Sequence, residues 1–180
     1  MTAFDPDAAS AREDLCRFLA ACYYEPGPEF SEERLFDSLL GAARRVDPKL
    51  AEIALKLGPS FEEQSLEALL VDYTRLFLGP IEQLARPYGS FWLTEEKSPS
   101  EDPAMAVQDL YEKGGFDIDD EFQELPDHVA VELEFLYLLT FKQNEARRAG
   151  EEVAIAGWDQ LHDLFLRGHL GAWIGRFAAA

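Results

Sequence analysis

Residues 125–144 read LPDHVAVELEFLYLLTFKQN, the longest strongly apolar run in the chain. Pro126 suits the first turn of a helix, and Asp127 can cap its orphan amides or favour its positive end. Val129, Leu133, Leu136, Leu139 and Thr140 recur at helical spacing. Phe135, Tyr137, Leu138 and Phe141 occupy other faces, and a helix apolar on most sides belongs in the middle of a bundle. His128 and Glu132 are four positions apart and share one face near the start of that helix. A groove is expected there.

Helical periodicity extends outward in both directions. Leu15, Phe18, Leu19, Cys22 and Tyr23 follow the i, i+3, i+4 pattern of a first helix over 7–24, ended by Pro26–Gly27–Pro28. Ser31 is the expected cap of a second, with Phe30 and Leu35 placed as a hydrophobic staple. Asp47–Pro48 opens a third that Gly58 should stop. A fourth, from 62 or 65 to Leu78, is expected to bury Leu66, Leu69, Leu70, Tyr73, Leu76 and Phe77. Residues 81–100 read as a long irregular segment rich in proline and aromatic side chains. Loops of that length in compact domains are usually functional or mobile.

Asp102–Pro103 starts the next helix. Gly114–Gly115 and the acidic residues after them suggest a hinge within 114–125. Gly150 should end the central helix. Val153, Ile155, Trp158, Leu161, Leu164 and Phe165 then mark another helix over 152–167, and Gly168 separates it from a last one. No segment alternates as a strand would. The expected fold is an all-α bundle of seven or eight helices, one domain over residues 1–180.

Net charge is −19 over 180 residues, which argues against nucleic acid and against anionic membrane surfaces as partners. It favours solubility or a basic partner. Residues 95–124 hold eleven acidic and two basic side chains, so the negative charge is concentrated there. The N-terminal residues lack a basic and then apolar leader, and no apolar run approaches the ~20 residues of a membrane span. A cytoplasmic location is therefore expected. Cys16 and Cys22 on one helix would lie about 9 Å apart in rise and on different faces, which excludes a disulfide between them. His128, His162 and His169 lack the spacing of a metal site. Neither a Walker motif nor GxGxxG is present, and no cofactor is expected.

Three motifs then point one way. Tyr73–Thr74–Arg75–Leu76–Phe77–Leu78–Gly79–Pro80, Pro87–Tyr88–Gly89–Ser90 and Pro126–Asp127–His128–(x3)–Glu132–Leu133 resemble the TorD/DmsD family. These are cytoplasmic chaperones that mature molybdenum enzymes of the DMSO reductase type. The resemblance runs from Tyr23–Tyr24 to His169 and Trp173. It implies a binding protein rather than an enzyme. Its partners would be the twin-arginine signal peptide and apoenzyme of a molybdopterin-dependent oxidoreductase.

The family's peptide site maps onto Tyr23, Tyr73, Leu76, Phe77 and Tyr88, with Asp127 and His128. Ser90, Trp92 and Glu132 join them as motif or loop neighbours. The chain departs from the family at Ile81, where some members carry tryptophan. On residue chemistry alone, Asp127 also reads as a helix cap, His128 as a satisfied half-buried histidine, and His169–Trp173 as a core-packing turn. Two alternatives stay open. One is a NarJ-like assembly factor for a subunit without a translocated signal, and the other is a small helical enzyme using His128 with Glu132.

Overall fold

A computed structural model describes residues 4–79, 84–93, 102–118 and 124–180. Every regular element among them is helical. The first half carries α1 (Pro6–Ala21), α2 (Glu29–Glu32), α3 (Leu35–Val46), α4 (Pro48–Ala54), α5 (Leu57–Glu62) and α6 (Leu66–Tyr73). A π-helical turn (Thr74–Leu78) follows α6 directly. The second half carries α7 (Gly89–Leu93), α8 (Pro103–Gly114), α9 (Val129–Ala149), α10 (Glu152–Phe165) and α11 (Gly171–Ala179). A second π turn (Leu166–Leu170) joins α10 to α11. The all-α expectation holds.

The elements outnumber the expected helices because several predicted ones are split. Ser31 does not cap a helix; it lies inside the four-residue α2. Arg34, in the left-handed region at φ 52°, then restarts the chain as α3. The expected staple of Phe30 with Leu35 falls with that cap; Phe30 lies inside α2, and its ring meets those of Phe36 and Phe61 instead. Gly58 sits within α5 rather than ending α4. Inside the predicted irregular segment, residues 89–93 form the short helix α7. By contrast, Asp47, Ser65 and Asp102 cap their helices as their residue types suggest.

α9 is the central element, flanked by α1 and α10. Phe135 is fully buried, and its ring meets Tyr111 at 4.8 Å, Phe165 at 4.9 Å and Phe116 at 5.6 Å. Burying such a side chain contributes about 1.5–3 kcal/mol. Gly114 is required beside it, because a Cβ there would come within 2.5 Å of Phe135 Cε2. Polar pins fix the helix register. The Asn144 side-chain amide donates to Ala9 O at 3.1 Å and to Glu13 Oε1 at 2.6 Å, tying α9 to α1. Gly150, at φ 70°, ends α9 as its position predicts. Phe116 and Ile118 pack on the core, so the start of the expected hinge is anchored; residues 119–123 lie outside the described residues.

Two burial expectations fail. α6 and its π turn contain no fully buried side chain: Leu66 and Leu76 are exposed, while Leu69, Leu70, Tyr73 and Phe77 are half-buried. In α10, Val153 and Leu164 face solvent. Periodicity marks an apolar stripe but does not say how much of it neighbours cover. No described helix is long and apolar enough to cross a membrane.

Candidate functional site

The loop 84–88 and the start of α9 are stitched together by backbone. Gly89 N donates to Asp127 O at 2.9 Å and Val129 N to Pro87 O at 2.8 Å, an isolated antiparallel bridge of Tyr88 with His128. The two rings are 5.4 Å apart, edge to face. Residues forty positions apart in sequence thus border one spot.

The polar residues expected to open a groove there are instead buried. Asp127, His128 and Glu132 are 0%, 3% and 0% exposed. Asp127 does not cap α9. Its Oδ2 accepts from Ser90 N at 2.7 Å and so holds the start of α7, while Oδ1 has no partner among the described residues. His128 is the cap of α9, its Nδ1 accepting from Ala130 N at 3.2 Å. Glu132 points inward, with Oε1 2.9 Å from His169 Nε2 and Oε2 accepting from Trp173 Nε1 at 3.1 Å. The extra residue of the π turn precedes Trp173 in the chain, and His169 and Trp173, four apart, both reach Glu132. His128 and Glu132 therefore form no open catalytic couple.

Beside them lies a half-buried aromatic and acidic patch packed on the buried Phe177. Phe177 of α11 sits among Tyr23 at 5.6 Å, Trp173 at 5.7 Å, Phe77 at 6.2 Å and Trp92 at 6.5 Å. Tyr73 packs on Phe77 at 5.1 Å, and its hydroxyl donates to Tyr23 O at 3.4 Å. Beside this wall, the Tyr88 hydroxyl donates to Glu124 Oε2 at 2.6 Å and the Tyr24 hydroxyl to Glu134 Oε1 at 2.9 Å. The Glu124 charge also acts on Tyr24 and Tyr73.

Burial first, and then these carboxylates, hold the Tyr24 and Tyr88 hydroxyls well above their usual range, so they stay protonated donors. Burial likewise raises the Glu134 carboxyl, partly offset by Tyr24. Neither Glu124 nor Glu134 pairs with a described cation. Leu76, Leu78 and Leu84 are exposed nearby in sequence. Such a surface can take an apolar chain on its rings and a cation on its acids.

The model of the nitrate reductase delta subunit family matches residues 43–179. Chaperone protein TorD of Aliivibrio salmonicida is 32% identical over 149 residues, covering 81% of this chain and 67% of that protein. The chain belongs to the TorD family. TorD of Photobacterium profundum is also 32% identical, over 83% of this chain and 69% of its own length. The chain thus spans about two thirds of the length of these TorD relatives. A crystal structure from Archaeoglobus fulgidus, provisionally assigned as a redox enzyme maturation protein, has the same fold. It matches with a TM-score of 0.50 and 21% identity, over 84% of this chain and 92% of that one.

Membership of the TorD family makes this chain a chaperone, not an enzyme. Of the residues picked out by sequence, the structure gathers Tyr23, Phe77 and Trp92 around Phe177, with Tyr73 packed on Phe77. It sets Tyr88 against His128 and leaves Leu76 on an exposed edge. Among the described residues Ser90 contributes its backbone N–H to Asp127, and Ile81 lies outside them. Sequence reading missed Phe177, Tyr24, Glu124 and Glu134. Phe177 was visible as the position four after Trp173, and Tyr24 as the neighbour of Tyr23. Nothing local marked the two glutamates among so many acids.

The buried cap makes a pH prediction. Burial lowers the His128 pKa below its ordinary 6.5, with Glu124 and Asp127 opposing. The unfolded chain therefore takes up this proton before the folded one. The stability contributed by His128 is present above pH 6.5 and is lost as pH falls through the lower folded pKa. His128→Asn keeps a capping oxygen. Its stability relative to the unsubstituted protein should rise as pH drops from 7.5 to 5.5 in thermal melts. A constant difference across that range would rule out a buried neutral His128.

Proposed function

We propose that this TorD-like chain is a system-specific cytoplasmic chaperone. It binds the twin-arginine signal peptide and apo form of a molybdopterin-dependent oxidoreductase until the cofactor is inserted and the enzyme is exported. The observation that supports this most directly is the aromatic wall of Tyr23, Phe77 and Trp92 around Phe177, with Tyr73 on Phe77, edged by Glu124 and Glu134. The apolar stretch of a signal peptide would lie on the rings, at about 25 cal/mol per Å² buried. The two guanidinium groups would meet the carboxylates, which suit their planar, bidentate geometry. Tyr88 and Leu76 border the same face. Asp127, His128, Ser90 and Glu132 position it from behind. The chain acts as one unit in this reading.

Fluorescence anisotropy with a labelled twin-arginine signal peptide tests it. Tyr88→Ala, and Glu124→Gln with Glu134→Gln, should each weaken binding by about 1–3 kcal/mol. A twin-lysine peptide should bind less well than the twin-arginine one. His128→Ala should lower the melting temperature as well, because it removes the cap of α9. Unchanged affinity in both site variants would overturn the assignment. The matched family's description favours one competing reading, an assembly factor of the nitrate reductase delta type. Preference for a remnant N-terminal peptide lacking the arginine pair would establish it.

A further inference from the structure

The junction of α10 and α11 holds one residue more than an α-helix would use. In an unbroken α-helix, Phe165 and Phe177, twelve positions apart, would point about 120° away from each other. Both are instead buried in the main core, at 0% and 5% exposure. The π turn between them, Leu166–Leu170, reconciles the two. Its wider loop absorbs one residue, which turns everything after it back by about 100°. Phe165, Leu170, Trp173 and Phe177 thereby form one buried stripe across both helices.

Gly171 is the residue on which the turn closes. Its N–H donates to Leu166 O, five residues back, the bond that defines a π turn. A Cβ at 171 would lie 2.5 Å from that same oxygen. The obstacle is backbone, so no change of rotamer relieves it. At Gly168, in the same turn, a Cβ would meet only Leu164 Cδ1 at 3.7 Å, an ordinary contact.

Closing the same residues with α bonds would rotate α11 by about 100°. Ala172, now exposed, would stand where Trp173 meets Glu132. Arg176, also exposed, would stand where Phe177 fills the aromatic wall. Arg176 would leave Trp92 O, to which its Nη1 donates at 2.9 Å.

We propose that the π turn sets the register of the peptide-binding face, and that Gly171 is a positioning residue for signal-peptide binding, acting through Trp173 and Phe177. This rests on the reading of the aromatic face as the peptide site.

Gly171→Ala should weaken twin-arginine peptide binding about tenfold or more, the usual effect of losing an anchoring side chain. Deletion of Gly168 removes the extra residue, so α bonds can run from α10 into α11 with Trp173 and Phe177 still in place. That deletion alone should leave peptide affinity near that of the unsubstituted protein. Combined with Gly171→Ala, it should restore the affinity lost. Two changes that merely damaged the structure would add instead. A second readout needs no peptide. Glu132→Gln should destabilise the unsubstituted protein and the doubly changed one in urea, but have little effect in Gly171→Ala, where Trp173 no longer reaches it.

The proposal is overturned if Gly171→Ala binds the peptide as the unsubstituted protein does, or if the deletion fails to restore binding. If Gly171→Ala does not fold, the double change decides: a folded protein that binds the peptide supports the register, and an unfolded one overturns it. If the unsubstituted protein binds no twin-arginine peptide, the peptide reading fails by itself, and the register stands or falls on the Glu132→Gln comparison.

Discussion

Glu132→Ala should cost about 2–6 kcal/mol of folding stability, because it strands two buried polar groups at about 1–3 kcal/mol each. Glu132 is fully buried and joins His169 and Trp173 through separate oxygens. Gly89 roofs the spot so closely that a Cβ there would meet Glu132 Oε1 and Trp173 Nε1 at 3.0 Å. Truncation leaves the Trp173 indole N–H without its acceptor and the His169 ring without its hydrogen-bond partner in that enclosed space, so water replaces the lost bonds poorly. Glu132→Gln keeps the shape but turns an amide donor toward one of the two, and should cost about 1–3 kcal/mol.

The pH dependence has its own sign. Burial raises the Glu132 pKa above its ordinary 4.5, although His169 and Trp173 pull it back. The folded state therefore holds this proton more tightly. The stability contributed is fully present below pH 4.5 and is lost as pH rises through the folded pKa. Urea titrations of Glu132→Gln should show a shallower fall over that window. A loss below about 1 kcal/mol in Glu132→Ala would mean that the network is not what joins α9 to α11.

Phe177→Ala should cost about 3–5 kcal/mol and also impair peptide binding. Its ring fills the space among side chains of the turn after α1, the first π turn, α7 and α11. Partners on four separate elements cannot all close on the cavity, which puts the cost in the upper part of the range. Phe177→Leu, which keeps much of the volume, should cost about 1.5 kcal/mol or less. Denaturant unfolding gives the stability term, and anisotropy with the twin-arginine peptide gives the binding term. A stable Phe177→Ala protein with full affinity would show that the wall is neither packed through Phe177 nor used for binding.

Local signals carried most of the helices. Asp47, Ser65 and Asp102 cap because a short side-chain acceptor meets amides two or three residues on, an interaction contained within one turn. Gly150 ends α9 for an equally local reason. The all-α class and the central place of residues 129–149 were legible from spacing alone. So was the family, from three motifs.

Only tertiary structure decided which way the motif residues face. His128 and Glu132 share a helical face in sequence, yet both are buried, and Glu132 turns to partners 37 and 41 positions away. Asp127 looked like the cap of its own helix but holds the start of α7 through Ser90 N. Leu66 and Leu76 fit the apolar stripe of α6, but too few neighbours cover them. Phe177, Glu124 and Glu134 became site neighbours only when α11, the loop before α9 and α9 itself met α1. Caps and periodicity depend on residues a few positions apart, so the chain by itself determines them. Burial, charge pairing and the shape of a binding face depend on side chains that meet only after packing, and no spacing rule in the sequence records those meetings.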